Sequence, residues 1–136
     1  MSSIKIENLY PGEAALSTEK VQMHLDTLRN GGTLDPITVT LLDACWGVRD
    51  GNNRVRAYIE FSQANKTPLP EIPCTETIFE SFNTVSCEGF RRLMKHYGRG
   101  AQAFLKMPKA PPDDYEKVQT ETARRIFKSS GPFKNS

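Results

Sequence analysis

The sequence has little of what usually announces a chemistry. Of its 136 residues only three are cysteine and two histidine. Cys45, Cys74 and Cys87 lack metal-ligand spacing, and three thiols cannot all pair within one chain. They read as reduced thiols in a cytoplasmic protein rather than as a disulfide framework. His24 and His96 stand far apart, which argues against a zinc site. No apolar run approaches the roughly 20 residues that span a bilayer, and Met1-Ser2-Ser3 begins no signal peptide, so no membrane partner is expected. Charge of one sign is scarce too. Eighteen Lys and Arg against sixteen Asp and Glu leave +2, too small a balance to imply nucleic acid without local clustering. There is no internal repeat and no low-complexity tract.

What is present suits one soluble globular domain: 38% hydrophobic and 25% charged residues, in a chain long enough for a modest core. The stretch from Trp46 to Phe61 organises it. Asp50-Gly51 is a strong turn signal, because glycine takes a positive φ without a Cβ clash. Asn52 and Asn53 follow, where a helix needs capping side chains for its unpaired N–H groups. Val55, Tyr58 and Ile59 then recur at one-face helical spacing, with Arg56 and Glu60 as an i,i+4 pair. A glycine, two amides and two arginines thus gather where a helix begins. Such an end offers free N–H donors and partial positive charge to an anion, or is simply a capped start.

Along the rest of the chain, Ile4-Lys5-Ile6 reads as a short strand ended by Tyr10-Pro11-Gly12. Ser17 or Thr18 caps a helix whose stripe is Val21, Leu25 and Leu28, with His24 at its edge, and Asn30-Gly31-Gly32 stops it. Residues 36–42 form a strand with Ile37, Val39 and Leu41 on one face and Thr38 and Thr40 on the other. A turn at Asp43-Ala44-Cys45 leads into Trp46–Arg49, making a hairpin that delivers Asp50. Trp46 reads as hairpin packing, with base stacking the alternative. Residues 70–75 read as a proline-broken edge strand. Phe90, Leu93, Met94 and Tyr97 mark an amphipathic helix whose outer face carries Arg91, Arg92, Lys95 and Arg99. That face is either solvated or a nucleic-acid contact surface, extended by Lys106 and Lys109. Residues 98–112 read as a loop. Asp113-Asp114 open a last helix packed through Tyr115, Val118, Thr122 and Ile126, and residues 129–136 read as a disordered tail. The fold class expected is α+β: a small mixed sheet with packed helices, followed by two C-terminal helices.

The run Asp50-Gly51-Asn52-Asn53-Arg54-Val55-Arg56-Ala57 resembles the phosphate-binding box of the ParB and sulfiredoxin superfamily. Asp35-Pro36-Ile37-Thr38-Val39 and Leu69-Pro70-Glu71-Ile72-Pro73 are similar to the strands that flank the box in ParB-like N-terminal domains. The resemblance runs from about Ile4 to Thr77. It implies a ParB-like core over residues 1–80 and a helical extension over 81–136, packed on or beside it. It also implies phosphate binding by Gly51, Asn52, Asn53, Arg54 and Arg56. The box cysteine of sulfiredoxins is replaced by Asn52, so sulfinic-acid reduction is not expected. The second nucleotide motif and helix-turn-helix of chromosome-partition ParB proteins are not found. Stand-alone relatives occur on plasmids, phages and other mobile elements.

Three functions follow from that resemblance. The first is a module binding a nucleotide, ATP or CTP with Mg²⁺, or a nucleic-acid phosphate. The second is an enzyme, either a metal-dependent nuclease or an NTP-using phosphotransferase. Asp50 would then be the catalytic residue, as Mg²⁺ contact or proton acceptor. The third is a catalytically inactive module with a protein partner, suggested by amides at both variable box positions, which cannot act as general bases. Some family members use an acidic residue ahead of the box in phosphoryl transfer; neither Glu13 nor Glu19 is singled out by the sequence.

Overall fold

The computed structural model describes residues 2–79 and 87–128. Within them the strands are β1 (Ser2–Lys5), β2 (Leu9–Tyr10), β3 (Leu16–Ser17), β4 (Ile37–Leu42), β5 (Cys45–Asp50), β6 (Glu71–Glu76) and β7 (Lys109–Ala110). The helices are α1 (Thr18–Arg29), α2 (Asn52–Asn65), α3 (Cys87–Tyr97), α4 (Ala101–Lys106) and α5 (Tyr115–Lys128). The fold is α+β. A mixed sheet has the strand order β1-β6-β4-β5-β2, and β3 and β7 make a separate parallel pair. None of the described helices is long and apolar enough to cross a membrane.

The hairpin β4–β5 is the centre of the sheet. Leu42 pairs with Cys45, which leaves Asp43 and Ala44 as a two-residue turn with φ values of 53° and 64°. Positive φ at both positions matches the right-handed twist of a hairpin. Ile37, Val39 and Val48 point into a core shared with Val21, Val55 and Ile59 from the helices. The second face of the hairpin is covered by α3. Thr40 pairs with Gly47, and a Cβ on Gly47 would lie 2.7 Å from the Phe90 ring and 2.8 Å from the Met94 sulfur. Both faces of the hairpin are therefore occupied at this point, and the chain needs a glycine where the Phe90 ring comes close.

Several expectations change. Thr40 is buried and Leu41 is 49% exposed, because α3 covers the Thr40 face while the far end of β4 outruns the helices. The register shift between Thr38 and Val39 also breaks the simple alternation. Ile6 leaves the first strand for a short 3₁₀ turn, Ile6–Asn8, that buries its side chain. Strand β6 is not an edge strand, since it lies between β1 and β4. Pro73 fits there because the stretch paired with β4 begins one residue later, at Cys74. Residues 98–112 are not a loop: Gly100, at φ +91°, opens α4, and Lys109–Ala110 pair with β3. Three helices, not two, therefore follow β6 among the described residues. Residues 129–136, expected as a tail, lie outside the described part.

Candidate functional site at the start of the central helix

Strand β5 ends at Asp50, and Gly51 turns the chain into α2 with φ +105°. A Cβ on Gly51 would lie 2.6 Å from Ile37 Cγ2, so both the backbone angle and the space require glycine. Gly51, not an asparagine, is the N-cap, and no side chain caps the helix. The amides expected as caps are committed to neighbouring backbone instead. Asn52 is fully buried. Its Oδ1 accepts from Gly12 N at 3.1 Å, and its Nδ2 donates to Val48 O at 3.2 Å and Glu13 Oε1 at 3.3 Å. Asn53 Oδ1 accepts from Ser17 N at 2.9 Å. Ser17 in turn caps α1 by accepting from Lys20 N at 3.2 Å.

This last chain of bonds brings two helix starts together. The first turn of α2 sits against the cap of α1, and the first turn of α2 holds no acidic residue. Helix starts carry unsatisfied N–H groups and roughly half a positive charge each, so a nearby anion is favoured; Glu19 in the first turn of α1 and Asp50 ahead of Gly51 supply part of that charge. Lys20 and Arg54 add cationic charge to the same neighbourhood, since both act on the His24 imidazole. Burial, then those two cations, hold the His24 pKa below its ordinary value.

Arg54 is placed at the turn but is partly committed. Its Nη1 donates to Pro36 O at 2.7 Å and Asp35 O at 3.3 Å, anchoring the entry to β4. Its Nη2 meets Asp50 Oδ2 at 3.3 Å. The Arg54 side chain is 17% exposed and that of Asp50 73%, so the carboxylate is the more open of the pair. Arg56 is carried away from the turn. Its Nε binds Glu60 at 2.7 Å and its Nη1 donates to Phe104 O at 2.9 Å, while Lys109 reaches the same Glu60 oxygen at 2.9 Å. Burial pulls the Glu60 carboxyl upward, but Lys109 and Arg56 outweigh it and leave the pKa below the ordinary value.

A scan against protein-family models finds no match to this chain, and a search of curated proteins finds none. The chemistry of the site rests on its own geometry.

Glu13 is the residue that the sequence did not single out. It approaches Asn52 from the loop after β2, and its second oxygen accepts from the Tyr115 hydroxyl at 3.0 Å. Burial pushes its pKa up, against the opposing pull of those two hydrogen bonds and of Lys20. The Tyr115 phenol is pushed up in turn by burial and by Glu13. Glu19, the other candidate, lies exposed in the first turn of α1. The distinction was invisible in sequence because it depends on Tyr115, 102 positions away.

The four basic residues expected on one helix face do not share it. Arg91 is half-exposed and pairs with Asp43 at 2.6 Å and Glu88 at 3.6 Å. Arg92 is 8% exposed, turned to Glu88 at 3.5 Å and to the Phe127 carbonyl at 3.4 Å on α5. Its burial corrects the outer-face assignment: α5 packs where the pattern suggested solvent. Lys95 is exposed, and Arg99 is exposed beyond the end of α3. Among the described residues no group of three His, Cys, Asp or Glu is placed to hold a metal ion.

Proposed function

We propose that the chain is a ParB-like domain that binds phosphate groups of a nucleotide or nucleic acid at the start of α2, in a DNA-related role. The observation that carries this reading is the junction of two helix starts through Asn53 and Ser17. Phosphate is the anion that such N–H donors and flanking cations suit best. Gly51, Asn52 and Asn53 shape the turn, and the exposed edge of Arg54 and Lys20 face the ligand. In this reading Arg56 braces α2 against α4 rather than touching phosphate. A Mg²⁺ carried by the phosphates would find Asp50 as its protein ligand, since such ions commonly take only one or two carboxylates from the protein.

Glu13 favours a second reading, phosphoryl transfer or phosphodiester cleavage. A carboxyl with a raised pKa beside a phosphate site is placed to exchange a proton with the attacking or leaving oxygen. Glu13, rather than Asp50, is then the acid–base group, and Asp50 remains the metal contact. The test is a calorimetric titration with the four nucleoside triphosphates, with and without Mg²⁺, for wild type and Lys20→Glu. Binding in the wild type that is lost in Lys20→Glu supports the phosphate site. Turnover that disappears in Glu13→Gln while binding persists supports the second reading.

A further inference from the structure

We infer that the cleft between the β4–β5 turn and α3 is a second ligand site, for a small organic anion that joins a phosphate or carboxylate group to a flat apolar body. The cleft lies at the other end of β5 from the phosphate turn. Cys45 opens that strand and Asp50 closes it, so the two sites stand roughly 17 Å apart at about 3.3 Å per residue.

The cleft has a volume of about 890 Å³, within the range of roughly 300–1,000 Å³ in which proteins hold small molecules. Its lining divides into two kinds of surface. Leu42, Met94 and the Tyr10 ring supply apolar wall. Arg91, Lys95 and His96 supply cationic or protonatable groups along α3. Arg91 is held in place by Asp43 from the hairpin turn and Glu88 from its own helix. That bridge ties the turn to α3 and fixes the width of the cleft at one end. Asp43 pushes the Arg91 guanidinium further toward its charged form. Even with Asp43 and Glu88 counted, the cations Arg91, Arg92 and Lys95 outnumber the acids in the lining.

These features select the ligand. The charge balance disfavours a cation. The apolar wall is wasted on a bare inorganic anion, which would leave it wet. A planar body against Tyr10 and Met94, with its charged group toward Lys95 and His96, uses both surfaces. The Tyr10 hydroxyl and Cys45 thiol, both in the lining, offer a polar contact for the body of such a ligand.

The experiment is an amide-resolved NMR titration of the full chain with four probes: AMP, adenosine, inorganic phosphate and benzoate. AMP or benzoate should shift the amides of Tyr10, Cys45, Lys95 and Gly98 along saturable curves; which of the two does so tells phosphate from carboxylate. Where AMP is the probe that binds, adenosine and inorganic phosphate should each bind at least tenfold more weakly than AMP. Lys95→Glu should weaken cleft binding at least tenfold, and Lys20→Glu should leave it unchanged. Cleft amides that stay still with both AMP and benzoate to millimolar concentration overturn the inference, as does an unchanged affinity in Lys95→Glu. Inorganic phosphate that moves the cleft amides as strongly as AMP overturns the apolar half. Shifts confined to residues 51–54 overturn the cleft site and leave the phosphate site at α2 standing, so the two readings fail separately.

Discussion

Asn52 shows how a residue read as a ligand-facing amide can be a structural hub. Three hydrogen bonds tie its side chain to Gly12, Val48 and Glu13, with no exposed surface left. Asn52→Ala should therefore destabilise the fold by about 1–3 kcal/mol for each buried backbone group left unsatisfied, Gly12 N–H and Val48 C=O. A urea titration measures it; a loss below half a unit of that scale would mean water replaces the amide. Glu13 makes a pH-dependent prediction. Its folded pKa lies above its unfolded value, so the folded state holds this proton more tightly. The associated stability is complete below the ordinary glutamate pKa and is lost as pH rises through the raised folded value. Glu13→Gln, which mimics the protonated form, should match wild type in acid and become the more stable protein toward neutral pH. Denaturation curves at both ends of that window decide it. Ala44 supplies a third case. A non-glycine residue at φ 64° costs roughly 1 kcal/mol, and Ala44→Gly should recover much of it as a higher denaturation midpoint.

At the scale of elements, much of the chain was legible because local chemistry and tertiary packing agree. Ser17 caps α1, Asn30 ends it, and Phe90, Leu93, Met94 and Tyr97 bury the face that their spacing marks. Where the sequence misleads, the cause is a partner distant in the chain. Arg92 looks solvent-facing until α5 packs beside it. Lys109–Ala110 is too short to read as a strand, and only pairing with Leu16–Ser17 makes it one. Strand β6 reads as an edge because of Pro73, but its neighbours β1 and β4 come from sequence far behind it. Helix α3 gives the element-scale prediction. Its Phe90 ring occupies the space that side chains at Gly12 and Gly47 would need. Gly47→Ala should cost about 1–3 kcal/mol through overpacking, and Phe90→Ala about 3–5 kcal/mol through the cavity left behind. If overpacking is the cause, the double variant should recover part of the loss, which thermal denaturation of the set would reveal.

Taken whole, the molecule places its last helix on its earliest loop. Tyr115 donates to Glu13, and Gln119 accepts from Ala15 N at 2.7 Å. Tyr97 donates to Ala14 O at 2.6 Å, and burial pushes its phenol up to about 12. The segment 12–17 that lies against the start of α2 is therefore positioned by residues from α3 and α5, and the C-terminal part of the chain helps build the candidate site. The turn into α2 was recognisable from Asp50-Gly51, but the contacts that Glu13, Ser17 and Tyr115 make around it required the three-dimensional arrangement. The most direct measurement is calorimetric titration of the wild-type chain with the four nucleoside triphosphates, with and without Mg²⁺, beside Lys20→Glu. Lys20 is exposed, so the substitution tests the ligand rather than the core. The account predicts saturable binding to the wild type and a weakening of about tenfold or more in the variant, as loss of a charge-assisted contact of about 1.5–3 kcal/mol requires. Equal affinity in both proteins, or no heat from any triphosphate, would contradict a phosphate site at the start of α2.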